Sequence, residues 1–308
     1  MPETHNNDDE VVDYFLQLLS KNEDMSSGIA AIKTLLMVLE TSQFHTIHIL
    51  QKTMLDAVEA MKNRSHLSIA AIASGGELFC RFITLSIGDK PIEECQRIML
   101  DRGNAFLKKL LDSRKCITKL AEKFLKDGCK VLTHSRSRVV LQTMIHAAEN
   151  NKHFHVYVTE GGKSDDKSGK KMCEELEKAG IECTLILDSA VGYVMESVDF
   201  VMVGAEAVVE SGGIINRIGS FTTAICAKDM KKPFYVLSES FKFTRLYPLN
   251  QRDLSDEYKY PGKDSGKDVS KIHPSVDYTP PAYITLLFTD LGILTPSAVS
   301  DELIKLYM

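Results

Sequence analysis

The chain has 308 residues, of which 44% are hydrophobic and 26% are charged, a composition typical of a folded globular protein. Its net charge of -5 gives no electrostatic reason to expect nucleic acid or an anionic membrane as a partner, so any recognition of an anion must be local. Because single hydrophobic cores stop growing near ~250–300 residues, this length favours two domains over one.

The first part of the chain has helical periodicity. Asp8 and Asp9 are predicted to cap a first helix, and a fourth helix is predicted to begin at Ser74. The second helix follows Ser26, and the third and fifth are predicted over residues 46–61 and 92–126. The helix starts at Ser26 and Ser74 carry glycines and could lend N–H groups to a phosphate, but an ordinary tight helix entry is the simpler interpretation of both. No strand is predicted before about residue 129.

From there, short β-rich runs alternate with helical segments. Strands are predicted at residues 130–133, 155–159, 183–187, 200–203 and 234–237. This alternation predicts right-handed crossovers and a parallel, doubly wound sheet. The predicted fold class is therefore α/β, with an all-helical domain over residues 1–127 and a Rossmann-like domain with C-terminal oligomerisation segments over residues 128–308.

The C-terminal part of that second domain has two distinct segments. Residues 248–281 lack periodicity and predict a long surface excursion. The apolar run 284–291 that follows is predicted to be buried, either in the core or in an oligomer interface.

The cysteines and the N-terminus indicate the compartment. Seven cysteines without a C-x-x-C spacing predict reduced thiols. The polar, acidic N-terminal segment matches neither a signal nor a transit peptide, and no apolar run reaches the ~18 residues of a spanning helix. We therefore expect a cytoplasmic protein.

The segment FVMVGAEAVVESGGIINRIGS, residues 200–220, predicts an anion pocket. An apolar strand leads to Glu206, then to a turn at Gly212 and Gly213, and then to Asn216 and Arg217 at the expected start of a helix. Ligands of open α/β sheets bind at the carboxyl ends of the strands, where a helix N-terminus offers N–H donors and an arginine suits a phosphate. The same pattern also fits an ordinary strand, turn and helix without a ligand.

A second candidate lies in VLTHSRSR, where Ser135 follows His134 at the end of a predicted strand. A serine hydrolase is a weak interpretation, because a nucleophile elbow needs small residues on both sides of the serine. Capping of the next helix by Ser135 or Ser137 is the better one. His153 and His155 share a strand face without a third ligand nearby, and no Walker A or G-x-G-x-x-G sequence occurs. We therefore expect no metal and no cofactor.

Several blocks of the chain resemble one known family over essentially its whole length. They are LTHSRSR, LDSAVGY, VGAEAVVESGGIINRIGS, KPFYVLSESFKF and TDLGILTPSAVSDELIKLY, and they resemble the alpha, beta and delta regulatory subunits of eukaryotic translation initiation factor 2B. The length and the last block favour the alpha branch. The resemblance implies a regulatory subunit of the guanine-nucleotide exchange factor for initiation factor 2, with catalysis of exchange residing in the epsilon subunit.

The same resemblance implies partners. It implies a homodimer that bridges the complex, with the beta, gamma, delta and epsilon subunits as partners, and a role in sensing the phosphorylated alpha subunit of initiation factor 2. A polar break from Glu40 to Gln43, followed by Phe44, separates two predicted helices. A connecting loop without a partner is the simpler interpretation, but the family leads us to expect that Glu40, Thr41 and Phe44 contact the phosphorylated factor.

The wider superfamily includes isomerases of ribose 1,5-bisphosphate and methylthioribose 1-phosphate. There the resemblance implies a cysteine after Thr-His and an aspartate after Gly-Ala, where this chain has Ser135 and Glu206. We therefore predict no catalytic residue, and an isomerase remains the alternative. Asn216, Arg217 and Gly219 match the family's Asn-Lys-x-Gly phosphate element with arginine in place of lysine. The implied vestigial sugar-phosphate site consists of Ser135, Glu206, Gly212, Gly213, Asn216, Arg217 and Gly219.

Overall fold

The computed structural model describes residues 4–22, 25–42, 44–64, 69–84, 91–161, 167–260 and 273–307. Its N-terminal part is helical: α1 (Thr4–Lys21), α2 (Ser27–Thr41), α3 (Ile47–Arg64), α4 (Ile69–Thr84) and α5 (Ile92–Ala121), followed by a short 3-10 turn at Glu122–Phe124. The first strand begins at Lys130. The division into domains at residues 127 and 128 stays a prediction, because buried side chains of the helices and of the sheet belong to one apolar cluster.

Two predicted helix starts were wrong. Helix α1 already begins at Thr4, so Asp8 and Asp9 lie inside it. Helix α4 begins at Ile69, and Ser74 lies in its middle with Gly75 and Gly76. A β-carbon at Gly76 would lie 2.7 Å from Cγ2 of Val58 on α3, so the glycines mark a close helix contact and not a helix start.

A seven-stranded sheet forms the centre of the second part. Its strands are β1 (Lys130–His134), β2 (His155–Thr159), β3 (Glu182–Ile186), β4 (Phe200–Gly204), β7 (Phe234–Leu237), β10 (Leu286–Thr289) and β11 (Gly292–Leu294). Their order is β11-β10-β7-β4-β1-β2-β3, and every pairing except that of β10 with β11 is parallel. The predicted doubly wound α/β fold is confirmed. The chain builds outward from β1 in one direction and then from β4 in the other, so the strand order reverses between β1 and β4.

The sheet also shows what covers the apolar run 284–291. Strand β10 pairs with β7, and Leu287 and Phe288 are fully buried. Burial in the core, one of the two predicted alternatives for this run, is therefore confirmed for Leu287 and Phe288.

A second sheet of four strands was not predicted. It consists of β5 (Ala207–Val209), β6 (Ile214–Arg217), β8 (Phe243–Thr244) and β9 (Val276–Thr279), in the order β8-β5-β6-β9. The expected helix start at Asn216 and Arg217 was wrong, because these residues end strand β6, whose Ile214 and Ile215 are fully buried. The expected surface excursion was wrong at β9, where all four residues are buried; residues 261–272 lie outside the described part of the chain.

A side chain closes one edge of this second sheet. The amide of Gln251 donates to the carbonyl oxygen of Tyr278 over 2.6 Å, and its oxygen accepts from the Tyr278 N–H over 2.8 Å. The side chain thus binds the backbone N–H and C=O groups of Tyr278, which a further strand beside β9 would otherwise bind.

The helices described beside the sheets are α6 (Arg138–Glu149), α7 (Ser168–Lys178), α8 (Val191–Met195), α9 (Ser220–Asp229), α10 (Asp256–Lys259) and α11 (Val299–Tyr307). Cys173 on α7 and Cys183 on β3 form a disulfide, so the expectation that all seven cysteines are reduced thiols was wrong for this pair. Among the described residues, no helix combines the length and the apolar character needed to span a membrane.

Candidate functional site

A cavity of about 720 Å³ lies where the strand order reverses, between the N-terminal helices and the carboxyl ends of the strands. Ser26 and Ser27 at the start of α2 and Arg114 on α5 line it from the helical side. His134 at the end of β1 and Gly204 at the end of β4 line it from the sheet. This is the position at which open α/β sheets bind ligands.

The lining of the cavity is strongly basic. Among the described residues that line it, seven side chains are basic and two, Glu206 and Glu239, are acidic. The basic residues are Arg114, Arg136, Arg138, Lys167, Lys171, Arg217 and Lys242. Because the whole chain carries a net charge of -5, this concentration of positive charge is local and favours an anionic ligand.

The structure brings four of the seven residues of the predicted sugar-phosphate site to the cavity. Glu206, Asn216 and Arg217 line it, and Nε of Arg217 lies 4.0 Å from Oε1 of Glu206. Ser135 lies directly behind the lining, and its hydroxyl makes a 2.6 Å hydrogen bond with that of Ser168, which does line it. Ser135 is buried and has a φ of 55°, an uncommon conformation for a serine at a strand end.

The other predicted residues have different surroundings. Gly212 and Gly213 form the turn between β5 and β6 and are not part of the cavity wall. At Gly212, φ is 83° and a β-carbon would collide with the backbone of Pro296, which explains the glycine without a ligand. Gly219 precedes α9 with a φ of 104° and packs against the ring of His134.

The N-terminus of α9, the expected source of N–H donors for an anion, already has an internal acceptor. Oδ2 of Asp277 accepts hydrogen bonds from the N–H groups of Gly219 over 2.7 Å and Phe221 over 3.1 Å. Asp277 stands opposite Asn216 in the pairing of β9 with β6. Burial raises the pKa of Asp277 to about 7, against the lowering effect of these backbone hydrogen bonds.

Two other helix N-termini line the cavity instead. They are the start of α6, at Ser137 and Arg138, and the start of α7, at Lys167 and Ser168. Within the described part of the chain neither shows a side-chain cap, and N–H groups at a helix start favour an anion. Ser26 differs, because its hydroxyl caps α2 through the N–H of Ile29.

Sequence reasoning missed a buried ion cluster in the cavity wall. Glu239 is 1% exposed; its Oε1 lies 2.8 Å from Nε of Arg114 and its Oε2 lies 2.8 Å from Nζ of Lys242. Burial alone would raise the pKa of Glu239, but Lys242 and Arg114 lower it to about 2. The cluster joins α5 to the segment after β7, across 125 residues of sequence, and no local pattern connects residues so far apart.

The arrangement does not support a serine hydrolase. The two ring nitrogens of His134 contact Thr159 Oγ1 at 2.7 Å and the carbonyl oxygen of Ile218 at 2.9 Å. His134 therefore makes no hydrogen bond with Ser135, whose hydroxyl is engaged by Ser168. Such a histidine orders the ends of β1 and β6 and does not activate a nucleophile.

The predicted partner-binding residues are split between surface and core. Glu40 and Thr41 are exposed at the end of α2, where the Thr41 hydroxyl donates to the carbonyl oxygen of Met37 over 2.9 Å. Phe44 is only 8% exposed and packs in the core, so the expectation that it presents an aromatic anchor was wrong. Gln43 lies outside the described residues.

Comparisons with known proteins agree with this architecture. The Initiation factor 2 subunit family model matches residues 21–296. Translation initiation factor eIF2B subunit alpha of Dictyostelium discoideum is 42% identical over 313 residues, covering 97% of this chain and 97% of that protein. The ribose 1,5-bisphosphate isomerase of Archaeoglobus fulgidus is 33% identical over 211 residues, covering 67% of this chain and 66% of that protein.

Among solved structures, a chain of the tetrameric eIF2B-beta2-delta2 complex from C. thermophilum has a similar fold. Its TM-score is 0.77 at 19% identity, with 98% of this chain and 95% of that chain covered. Because the identity is low, this likeness supports the fold alone. The family match over most of the sequence and the near full-length relative place the chain in the initiation factor 2 subunit family.

Proposed function

We propose that this chain is a non-catalytic, regulatory subunit of the alpha type in the cytoplasmic guanine-nucleotide exchange factor for translation initiation factor 2. The observation that carries the proposal is its 42% identity with an eIF2B alpha subunit over 97% of both chains. Its partners in this role are the beta, gamma, delta and epsilon subunits. Co-expression with those four subunits tests the proposal, and failure of the chain to co-purify with them would contradict it.

The subunit acts as a homodimer that bridges the complex. Strand β3 ends the large sheet; Leu185 on this strand and Leu187 directly after it are 40% and 57% exposed. Tyr193 on α8 is 89% exposed, and Ile225 on the adjoining α9 is 42% exposed. An apolar set of this kind beside an unpaired strand edge supports an interface between two copies.

The matched pair of variants for this interface is L187E/Y193E and Y247E/L249E. Tyr247 and Leu249 are also strongly exposed, at 62% and 74%, but lie in another segment of the chain. The first variant should sediment as a monomer at micromolar concentration, whereas the second should remain dimeric. A monomeric wild type, or equal behaviour of the two variants, would contradict the interface.

The end of α2 contacts the phosphorylated alpha subunit of initiation factor 2. Of the three residues expected to make this contact, Glu40 and Thr41 are exposed at the end of α2. Phe44 is buried, so it supports this end of the helix from the core and does not contact the partner. The acidic balance of the chain disfavours capture of the phosphate by a basic cluster at this tip. The phosphate therefore acts mainly by reshaping the loop that carries it in the partner.

Charge substitution at this tip tests the contact. E40K/T41K should leave assembly intact and weaken inhibition of nucleotide exchange by the phosphorylated factor. E177K/N104K makes the same change in charge at exposed positions on α7 and α5 and should not alter inhibition. Unchanged inhibition by E40K/T41K in a verified assembly would exclude this surface.

The cavity holds a sugar phosphate or a similar small anion without converting it. The seven basic side chains among its described lining residues support the binding of an anion, and Ser135 and Glu206 in place of cysteine and aspartate argue against turnover. A serine is a poor substitute for a thiolate, and an extra methylene displaces a carboxylate by more than the ~1 Å that can cost about a hundredfold in rate. Binding should stabilise the fold by about 2.7 kcal/mol at a ligand concentration of a hundred times Kd.

The alternative function is a sugar-phosphate isomerase. The 33% identity with the Archaeoglobus fulgidus enzyme and the position of the cavity favour it. Incubation with ribose 1,5-bisphosphate or methylthioribose 1-phosphate decides between the two. Conversion above a heat-inactivated control would overturn the non-catalytic assignment, whereas a thermal shift without conversion would support it.

A further inference from the structure

One face of α5 and the turn after it carries a row of lysines that the exchange-factor assignment does not use. Lys108, Lys115, Lys119 and Lys123 are all exposed and follow one another at intervals of seven, four and four residues. Side chains at these intervals share one face of a helix. At 1.5 Å per residue, this basic stripe is about 22 Å long.

The stripe is poorly compensated within the chain. Lys115 has an exposed partner, Asp112, at 3.4 Å. Among the described residues, Lys108, Lys119 and Lys123 have no ion-pair partner. Glu122, which precedes Lys123 in the sequence, lies 3.1 Å from His146 and 3.4 Å from Lys152. Like charges in a row on a helix repel one another, and here the repulsion occurs in a chain whose net charge is -5.

We propose that the basic stripe of α5 binds an acidic segment of a partner protein. An extended segment of about seven residues matches its length at 3.3 Å per residue. Complementary charge is the feature that selects this occupant, because it steers association and sets register. Leu111, 51% exposed beside the stripe, adds an apolar contact.

The surroundings favour a protein over RNA as the occupant. Single-stranded RNA is bound through aromatic side chains and arginines that stack on bases. The arginine of this part of α5, Arg114, faces the cavity and pairs with buried Glu239. Phe124, the aromatic residue next to Lys123, packs against Tyr235 and Phe288. The stripe therefore offers charge without a stacking surface.

The proposal is independent of the exchange-factor assignment and can be tested on the purified full chain. The probes are a fluorescent peptide of about eight alternating aspartates and glutamates and a single-stranded RNA of equal charge, with binding measured by anisotropy at several salt concentrations. The test variant is K108E/K115E/K119E. The control is K21E/K52E/K178E, which reverses three exposed lysines on three other helices.

We expect the peptide to bind the wild type and the control within twofold of each other, and to bind the stripe variant about tenfold or more weakly, with affinity falling as salt rises. If charge reversal impairs folding, K108Q/K115Q/K119Q should still show a smaller loss in the same direction. The proposal is overturned if the peptide does not bind, if the stripe variant and the control lose affinity equally, or if the RNA binds more tightly than the peptide.

Discussion

Replacing Asp277 with asparagine should remove a large part of the pH dependence of stability near neutrality. Burial raises the pKa of Asp277 to about 7 in the folded chain, from the ordinary value of 3.8. The folded state therefore binds a proton more tightly than the unfolded state. Stability from this group is fully present below about pH 4 and is lost as the pH rises from there through about 7. At 1.36 kcal/mol for each unit of pKa, the loss amounts to roughly 4 kcal/mol.

Asparagine keeps an oxygen that can accept from the N–H groups of Gly219 and Phe221, but it does not titrate. At high pH the asparagine variant avoids the cost of a buried charge. Its NH₂ group would take the place of Oδ1, which has no hydrogen-bond partner among the described residues, and this offsets about 1–3 kcal/mol of that stabilisation. The informative quantity is therefore the difference in slope between the two proteins.

The assay is urea unfolding of the wild type and of Asp277→Asn at intervals from pH 5 to 8.5. The free energy of unfolding should fall more steeply with pH in the wild type, because the other titrating groups are common to both. Asp229→Asn, an exposed aspartate at the other end of α9, serves as the control and should follow the wild type. Parallel curves for the wild type and Asp277→Asn would refute the argument that burial dominates this carboxyl.

Three further outcomes test the site and the packing. Glu206→Gln should tighten binding of a sugar phosphate by about threefold in calorimetry, since it removes a half-buried carboxylate 4.0 Å from Arg217; weaker binding would show that the carboxylate contacts the ligand. Phe44→Ala should lower the free energy of unfolding by about 3–5 kcal/mol in urea, whereas a loss below about 1 kcal/mol would indicate an exposed ring. Gly212→Ala should destabilise more than Gly128→Ala, because φ is positive at both glycines but only Gly212 adjoins another backbone; loss of ligand affinity in Gly212→Ala would place the turn in the site after all.

The parts of the fold that were predicted correctly are those with strong local patterns. Strands β1, β2, β4 and β7 are short apolar runs between helical segments, and their alternation with helices was sufficient to predict a parallel sheet. The second sheet was missed because its strands have two to four residues and pair across long separations, such as Asn216 with Asp277. Strands of two to four residues span at most two repeats of the two-residue alternation, which is too few for a periodic pattern to stand out.

The candidate site was predictable only in part, for a related reason. Glu206, Asn216 and Arg217 occur together in the sequence and were found together. Arg114 and Glu239 are 125 residues apart, and only the packing of α5 on the sheet brings them within 2.8 Å. The internal acceptor at α9 was missed in the same way, because Asp277 lies in a segment that has no periodic signal.

The closure of β9 by Gln251 has a consequence for synthesis of the chain. Gln251 precedes Tyr278 by 27 residues, so the ribosome delivers the closing amide before the strand edge that it closes. Domains form from the N-terminus during synthesis, and unpaired strand edges are where nascent chains join one another. We therefore expect a newly made β9 to bind the side-chain amide of Gln251 before it meets another chain. This limits the time during which neighbouring copies on a polysome can pair with the strand. Gln251→Ala should accordingly lower the soluble yield during translation by a larger fraction than it lowers the free energy of unfolding of the finished protein.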